Sequence, residues 1–315
     1  MPLLDELTPV AERLVERHLG MAKEWFPHTY VPWSRGRDFV EGELWDPDEF
    51  PIDPAVRSAL FVNLLTEDNL PYYFETIDRV FGPPDGARAR AGRVDLAARD
   101  VWQTWSRRWT AEENRHAIVI RDYLTVTRAL DPVELERARM VQMTTAMVPQ
   151  PLEVSDALVY VALQELATRI SHRNTGKLLN DQAGTDLMAR VAADENLHYL
   201  FYRDLVTAAL ELDPSSLVEA IERQVRDFEM PGVGIPNFDA HALAIARAGI
   251  YDFEIHHDQI LVAVVLRHWK IESLSGLSAS AEAARDRLLQ RISRIGRAAR
   301  RFASRRSEKF AAAVS

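Results

Sequence analysis

The chain has 315 residues, of which 47% are hydrophobic, with a formal net charge of −9 and no cysteine. That is apolar material enough for a sizeable core, yet no run of about 18 or more apolar residues is present, which excludes a transmembrane helix. The missing cysteines exclude disulfides, zinc–thiolate sites and protein-ligated iron–sulfur clusters, so any metal must rest on oxygen and nitrogen ligands, a set that suits iron, manganese or zinc. With only 13 glycines and 16 prolines, and with Leu, Ala, Glu and Arg abundant, the composition favours helix over sheet.

In chain order, residues 5–19 form an amphipathic pattern through Leu7, Val10, Leu14 and His18. The start of the chain mixes Asp5, Glu6, Glu12 and Arg13 among its apolar residues, unlike a signal or basic transit peptide, so a cytoplasmic protein is expected. Trp25 to Pro54 reads as an aromatic, proline-rich loop that wraps the helices. Residues 54–81 read as helix, with Leu60, Leu64, Glu67 and Phe74 on one face. Pro71 cannot donate to the Glu67 carbonyl, which predicts a kink or bulge there, or else a helix end. Gly82 to Arg93 is a loop by its breaker residues. Helices are then predicted at 96–130, 133–147, 153–178, 185–211, 215–229, 239–269 and 279–309, with a turn at 180–184 and an extended connector at 230–237. No strand pattern appears. From Glu282 to Lys309 the charge is +7, leaving −16 on the remainder. That basic segment is either a rim for an acidic partner or a solvated terminal helix; no nucleic-acid partner is expected.

Two short motifs stand out within this helical pattern. Glu113 and His116 lie three residues apart in W-T-A-E-E-N-R-H, and Glu195 and His198 repeat the spacing in A-D-E-N-L-H. Residues at i and i+3 share a helix face, with Cβ atoms about 5–6 Å apart, so each pair can reach one ion. An isolated E-x-x-H carries little weight, and a third match, Glu254/His257, reads as chance or as a structural pair. The first two differ from it because each follows a helix with a candidate carboxylate: Glu67 lies 46 residues before Glu113, and Glu165 lies 30 before Glu195. A lone carboxylate among Val161, Ala162 and Ile170 would be costly unless a metal or partner compensated it. Glu, E-x-x-H, Glu, E-x-x-H is the order that an all-α, ferritin-like four-helix bundle with one long crossover uses to turn six ligands inward on a di-iron centre.

The chain also resembles the soluble acyl-acyl-carrier-protein desaturases, the di-iron family of plant plastids and actinobacteria. The resemblance runs over most of the chain and rests on T-E-D-N-L-P at 66–71, W-T-A-E-E-N-R-H at 109–116 and Q-E-L-A-T-R-I-S-H-R-N-T at 164–175. It continues through A-D-E-N-L-H at 193–198, the M-P-G connector with its later I-P, and W-K-I-E-S-L-S-G-L-S at 269–278. It implies Glu67, Glu113, His116, Glu165, Glu195 and His198 as ligands of two iron ions. It implies that Asp194 accepts a hydrogen bond from the far nitrogen of His116 and that Trp25 joins that pair as an inward path for electrons. Simple packing is the other reading of Trp25. Thr168 matches a threonine on the oxygen-binding side; its alternative is a hydroxyl bonded to its own helix carbonyl.

The expectation is therefore a chain of 315 residues forming one helical desaturase-type domain. An N-terminal helix and wrapping loop (1–54) would precede the metal-binding bundle (55–211), additional flanking helices (212–280) and a basic C-terminal helix or tail (281–315). The implied activity is oxygen-dependent insertion of a cis double bond into an acyl chain on acyl carrier protein, with electrons from a ferredoxin-type donor and a homodimeric assembly. The basic stretch at 285–306 is one candidate rim for the acidic carrier. A di-iron hydroxylase or N-oxygenase, an iron-storage protein and a helical adaptor without metal stand as alternatives.

Overall fold

The computed structural model describes residues 2–81, 100–145, 153–230, 232 and 234–314, and among them every regular element is helical. The loop expected at Gly82–Arg93 and the break at Pro149–Pro151 lie outside the described residues. The helices are α1 (Pro2–Met21), α2 (Pro54–Asp68), α3 (Leu70–Phe81), α4 (Val101–Thr127), α5 (Pro132–Thr145), α6 (Val154–Leu178), α7 (Gln182–Leu212), α8 (Pro214–Arg226), α9 (Phe238–Arg247), α10 (Phe253–Ile255 running on into His256–His268) and α11 (Ala279–Val314). No helix among the described residues is long and apolar enough to cross a membrane.

Local chemistry explains most boundaries. Asp53, Asp100, Asp181 and Asp213 each stand before a helix and accept a backbone N–H from its first turn, which satisfies a donor that has no partner inside the helix. Pro54 and Pro214 follow two of these caps, where a missing N–H costs nothing. The irregularity expected near Glu67 falls at Asn69, which separates α2 from α3. Its N–H bonds the Thr66 carbonyl at 3.2 Å, and its own carbonyl takes the Tyr72 N–H at 3.1 Å. Pro71 thus opens α3 and does not bend a continuous helix.

Two expectations need correction. The helix predicted over 239–269 is two helices: Gly249 turns the chain at φ 70°, and Asp252 caps a new start by accepting from Glu254 and Ile255. Gly249 is free to take that positive φ because it has no Cβ. Beyond it α10 is wound more widely than an α-helix, with Trp269 N–H reaching the Val264 carbonyl five residues back at 2.8 Å. The turn expected at 180–184 is also shorter, because α7 begins at Gln182.

Helix α6 is buried nearly all round, from Ala157 through Leu163, as a central bundle helix must be. Helices α2, α4, α6 and α7 surround the functional side chains. The apolar core forms two clusters. One gathers Trp105, Trp109, Leu158, Leu163, Phe201 and Leu205; the other Leu60, Leu64, Val119, Ile120, Leu187 and Val191. On α4 the first cluster ends at Trp109 and the second begins at Val119. On α7 the second ends at Val191 and the first resumes at Tyr199. The residues left between them, 112–116 and 194–198, are the acidic and histidine motifs. A polar layer therefore crosses the bundle between two apolar halves.

The hairpin of α6 and α7 brings its arms close at small residues. A Cβ on Gly184 would collide with the Leu179 side chain and the Tyr123 ring, and the Tyr123 hydroxyl is engaged by Asp181 at 3.0 Å. Gly184→Ala should therefore lower stability by about 1–3 kcal/mol through overpacking, read as a lower midpoint in urea unfolding.

Candidate metal centre

The structure brings all six predicted side chains together. Glu67 comes from α2, Glu113 and His116 from α4, Glu165 from α6, and Glu195 and His198 from α7. Glu67, Glu113, His116 and Glu195 form one group and Glu113, Glu165, Glu195 and His198 another, each with ligand atoms within 4.8 Å of one another. Glu113 and Glu195 belong to both groups, which places two carboxylates between two neighbouring ion positions. All six residues are buried. The third E-x-x-H joins neither group: His257 lies beside Asp258 at 2.5 Å, far along the chain on α10.

The imidazoles face the right way. His116 Nδ1 lies 3.1 Å from Glu195 and His198 Nδ1 lies 2.7 Å from Glu113, so both Nδ1 atoms point into the carboxylate cluster. Both nitrogens lack a satisfying hydrogen bond, as do Glu113 Oε1, Glu165 Oε2 and Glu195 Oε1. Five unsatisfied buried atoms converging on one place are unusual in a folded protein. Among the described residues, no Arg or Lys pairs with Glu67, Glu113, Glu165 or Glu195. Cations held between the groups would satisfy both the orphaned atoms and the charge, and oxygen with imidazole nitrogen is a ligand set iron accepts.

The outer nitrogens of the two histidines face acids. His198 Nε2 lies 3.0 Å from Glu112. His116 Nε2 faces Asp194 at 3.6 Å, so the hydrogen bond expected there is longer than a formed one. Asp194 accepts the Trp25 indole N–H at 2.7 Å and an Arg115 N–H at 3.2 Å, and Arg190 also donates to it. Trp25 stacks over His116 with ring planes 12° apart. Thr168 Oγ1 lies 3.3 Å from the Gln164 carbonyl four residues back, 3.0 Å from the Glu165 carbonyl and 3.1 Å from Glu195 Oε2.

Several participants escaped the sequence reading. Trp109 donates its indole N–H to Glu165 at 2.9 Å, and His172 Nε2 lies 2.8 Å from Glu67. Glu112 pairs with His198 as Asp194 faces His116. A signal for Glu112 was present: in both motifs an acid stands immediately before the ligand glutamate.

The carboxylates are split by their surroundings. Burial alone would raise Glu67, but the neighbouring imidazoles of His116 and His172 outweigh it and hold it well below the usual range. Burial would likewise raise Glu112, but hydrogen bonds from His18 and His198 outweigh it and hold it well below the usual range. Asp194 is held at about 2 in the same way, by His116 and its other donors against burial. Glu113 is raised by burial and by the charges of Glu195 and Glu67. Glu195 is pushed up to about 7 by burial and by Glu165. His116 and His198 are raised, because the surrounding carboxylates outweigh burial.

A narrow pocket opens from this centre. Glu67, Glu113, Glu195 and Thr168 form one end, and Ile77, Val80, Phe81, Ala157, Tyr160 and Val161 supply apolar walls. A second pocket meets the same Thr66, Glu67 and Thr168 from the other side and runs past His172 to Met230, Phe238 and Tyr251.

A helical bundle with paired carboxylate–histidine groups sharing two glutamates is the geometry of a helical two-metal carboxylate protein, with ligand sets for two ion positions beside a pocket. The chain belongs to the fatty acid desaturase family, whose description matches residues 1–315. It is 42% identical over 298 residues to the candidate acyl-acyl-carrier-protein desaturase DesA1 of Mycobacterium tuberculosis, covering 91% of this chain and 83% of that one. It is 31% identical over 315 residues to a chloroplastic stearoyl-acyl-carrier-protein 9-desaturase of Gossypium hirsutum, covering 95% and 75%. The X-ray structure of DesA2 from Mycobacterium tuberculosis superposes with a TM-score of 0.67 at 28% identity, over 86% of this chain and 98% of that one.

The raised carboxylates give a test of the metal-free site. Glu195 binds its proton more tightly in the folded state than at its ordinary value of 4.5. Its contribution to stability is present at acidic pH and is lost as pH rises through about 7. Glu67, Glu112 and Asp194 are depressed and stay ionised in that window. Chelator-treated wild type should therefore lose thermal stability relative to chelator-treated Glu195→Gln between roughly pH 5 and 8. Calorimetric melting of the two proteins side by side checks this.

Proposed function

We propose that this chain is an acyl-acyl-carrier-protein desaturase that introduces a cis double bond into a saturated acyl chain, using dioxygen and two electrons from an external ferredoxin-type donor. The observation that carries this reading is the apolar pocket ending on Glu67, Glu113 and Glu195. An alkyl chain has no polar handle near its reacting carbons, so only such a pocket can present chosen methylenes to the centre. In our reading Glu67, Glu113, His116, Glu165, Glu195 and His198 hold two iron ions, with Glu113 and Glu195 shared. Bound iron supplies the oxygen activation needed to break unactivated C–H bonds. The balance is simple: two hydrogens from adjacent methylenes, with two electrons and two protons from outside, reduce one dioxygen to two waters.

The chain's own groups do the rest. The pocket walls exclude water and fix the depth at which the acyl chain stops. Thr168 holds a hydroxyl proton at Oγ1 within reach of Glu195 Oε2 at 3.1 Å, a position from which it can relay a proton. Trp25, bonded to Asp194 and stacked on His116, offers a buried link from the N-terminal segment for incoming electrons. Trp109 and His172 hold Glu165 and Glu67 in place. The carrier protein is acidic, and α11 presents exposed Arg287, Arg294, Arg297, Arg300 and Arg301 on a helix packed through Ala281, Ala284, Leu288 and Ile292. That packed, cationic face is a docking surface for the carrier. The residue-by-residue assignments, the cytoplasmic location and a homodimeric assembly are part of the same reading.

Incubation with ferredoxin, its reductase, oxygen and acyl carrier proteins of graded chain length should yield products lighter by two hydrogens, read by mass spectrometry. An oxygenated product would instead indicate a hydroxylase or N-oxygenase on this scaffold. Glu113→Ala and Glu195→Ala should each lose iron from both positions; unchanged iron content would end the metal assignment.

Ala157→Phe should shorten the preferred acyl chain, since Ala157 lines the pocket and is 2% exposed. Each methylene excluded costs about 0.8 kcal/mol, roughly fourfold in kcat/KM, measured by competition between acyl substrates.

A further inference from the structure

The two halves of the centre are braced alike, and both braces come from one short stretch. Trp25 donates to Asp194, which faces His116. Seven residues earlier, His18 in the last turn of α1 places Nε2 2.9 Å from Glu112 Oε2. The same Glu112 oxygen lies 3.0 Å from His198 Nε2. Arg108 holds the other oxygen of Glu112 at 2.5 Å, much as Arg115 and Arg190 hold Asp194. Each acid directly precedes a shared glutamate in sequence, and each lies under a nitrogen donor from residues 18–25.

His18 is costly where it stands. It is 4% exposed and wedged edge-on against Trp105 at 5.0 Å, nearly parallel to His198 at 5.8 Å. Its Nδ1 has no partner, a loss an apolar side chain would avoid. Packing alone does not account for an imidazole there; the contact with Glu112 does.

We propose that His18 is a positioning residue for the His198 half of the centre. Resting on the metal reading above, its influence passes through Glu112. Donors from His18 and His198 converge on one carboxylate oxygen and fix Glu112 in plane. Glu112 then fixes His198 with its N–H outward and Nδ1 inward, toward the ion position it shares with Glu113, Glu165 and Glu195. Such outer partners of a ligand histidine typically alter metal affinity by about 10–100-fold. Without His18, Glu112 is left to Arg108 and Arg115 on its exposed side, and His198 loses a fixed acceptor.

The test is anaerobic Fe(II) titration of the whole chain, with binding constants from a competing chelator and Mössbauer spectra of the loaded protein. His18→Leu should weaken one of two Fe(II) sites by about 10–100-fold, leave the other within a few-fold, and change one ferrous signal. His18→Gln, which keeps an N–H donor, should restore most of the affinity. Glu112→Gln, nearly isosteric and independent of α1 packing, should reproduce the one-sided loss; it decides the matter if His18→Leu melts far below wild type. Two Fe(II) bound with wild-type constants and spectra in folded His18→Leu would overturn the proposal, as would equal weakening of both sites. A wild-type chain that binds no Fe(II) would instead overturn the metal reading itself.

Discussion

Four carboxylates meet inside a helical bundle with no arginine or lysine of the described residues paired to them, and much of the molecule is arranged around that fact. A buried charge without compensation is among the most unfavourable features a fold can carry. Here the glutamates are divided by their neighbours: Glu67 is held ionised by two histidines, while Glu113 and Glu195 are pushed toward the neutral form by burial and by one another. A centre strained in this way is relaxed by positive charge placed between the two groups, which is where the orphaned oxygens and Nδ1 atoms already point.

The same demand accounts for features that look incidental when taken singly. The apolar core is cut into two clusters because a polar layer must cross every helix at one level. The helix carrying Glu67 stops at Asn69, so that α3 can set out afresh and wall the pocket with Ile77, Val80 and Phe81. The N-terminal segment is drawn over the bundle by Trp25 and His18, whose nitrogens meet the acids behind the two inward-facing histidines. The aromatic loop that follows is fastened in turn, with the Trp45 indole on the Arg128 carbonyl at 2.8 Å. Arg128 itself adopts a positive φ of 56° to end α4. Two pockets share Thr66, Glu67 and Thr168 in their linings.

Family membership and geometry support each other without being the same argument. The relatives are described as acyl-acyl-carrier-protein desaturases. The geometry supplies a centre of shared carboxylates beside a pocket walled largely by Ile77, Val80, Phe81, Ala157 and Val161. The basic helix α11 adds a feature that composition alone left open. Its apolar stripe is packed against α8 and α10, and Gly296 lets it approach His257 where any Cβ would collide. The cationic face is therefore held on a fixed element.

The residue order alone determined the helical class, most helix positions and all six members of the carboxylate–histidine set. Those signals are periodic or local: an i, i+3 pair shares a face whatever the rest of the chain does. The order of residues was also enough to show an acid before each shared glutamate, although only Asp194 was recognised from it. What tertiary structure alone decided was which distant groups meet. His18, Trp109 and His172 carry no local mark, because a histidine or tryptophan on an apolar helix face reads as core until its partner is known. The break at Gly249 and the start of α7 at Gln182 follow local cues, a glycine at positive φ and the caps Asp252 and Asp181, which an apolar periodicity continuing across both turns masks. Hydrogen bonds spanning 94 or 105 residues depend on the bundle's closure, and no spacing along the chain encodes them.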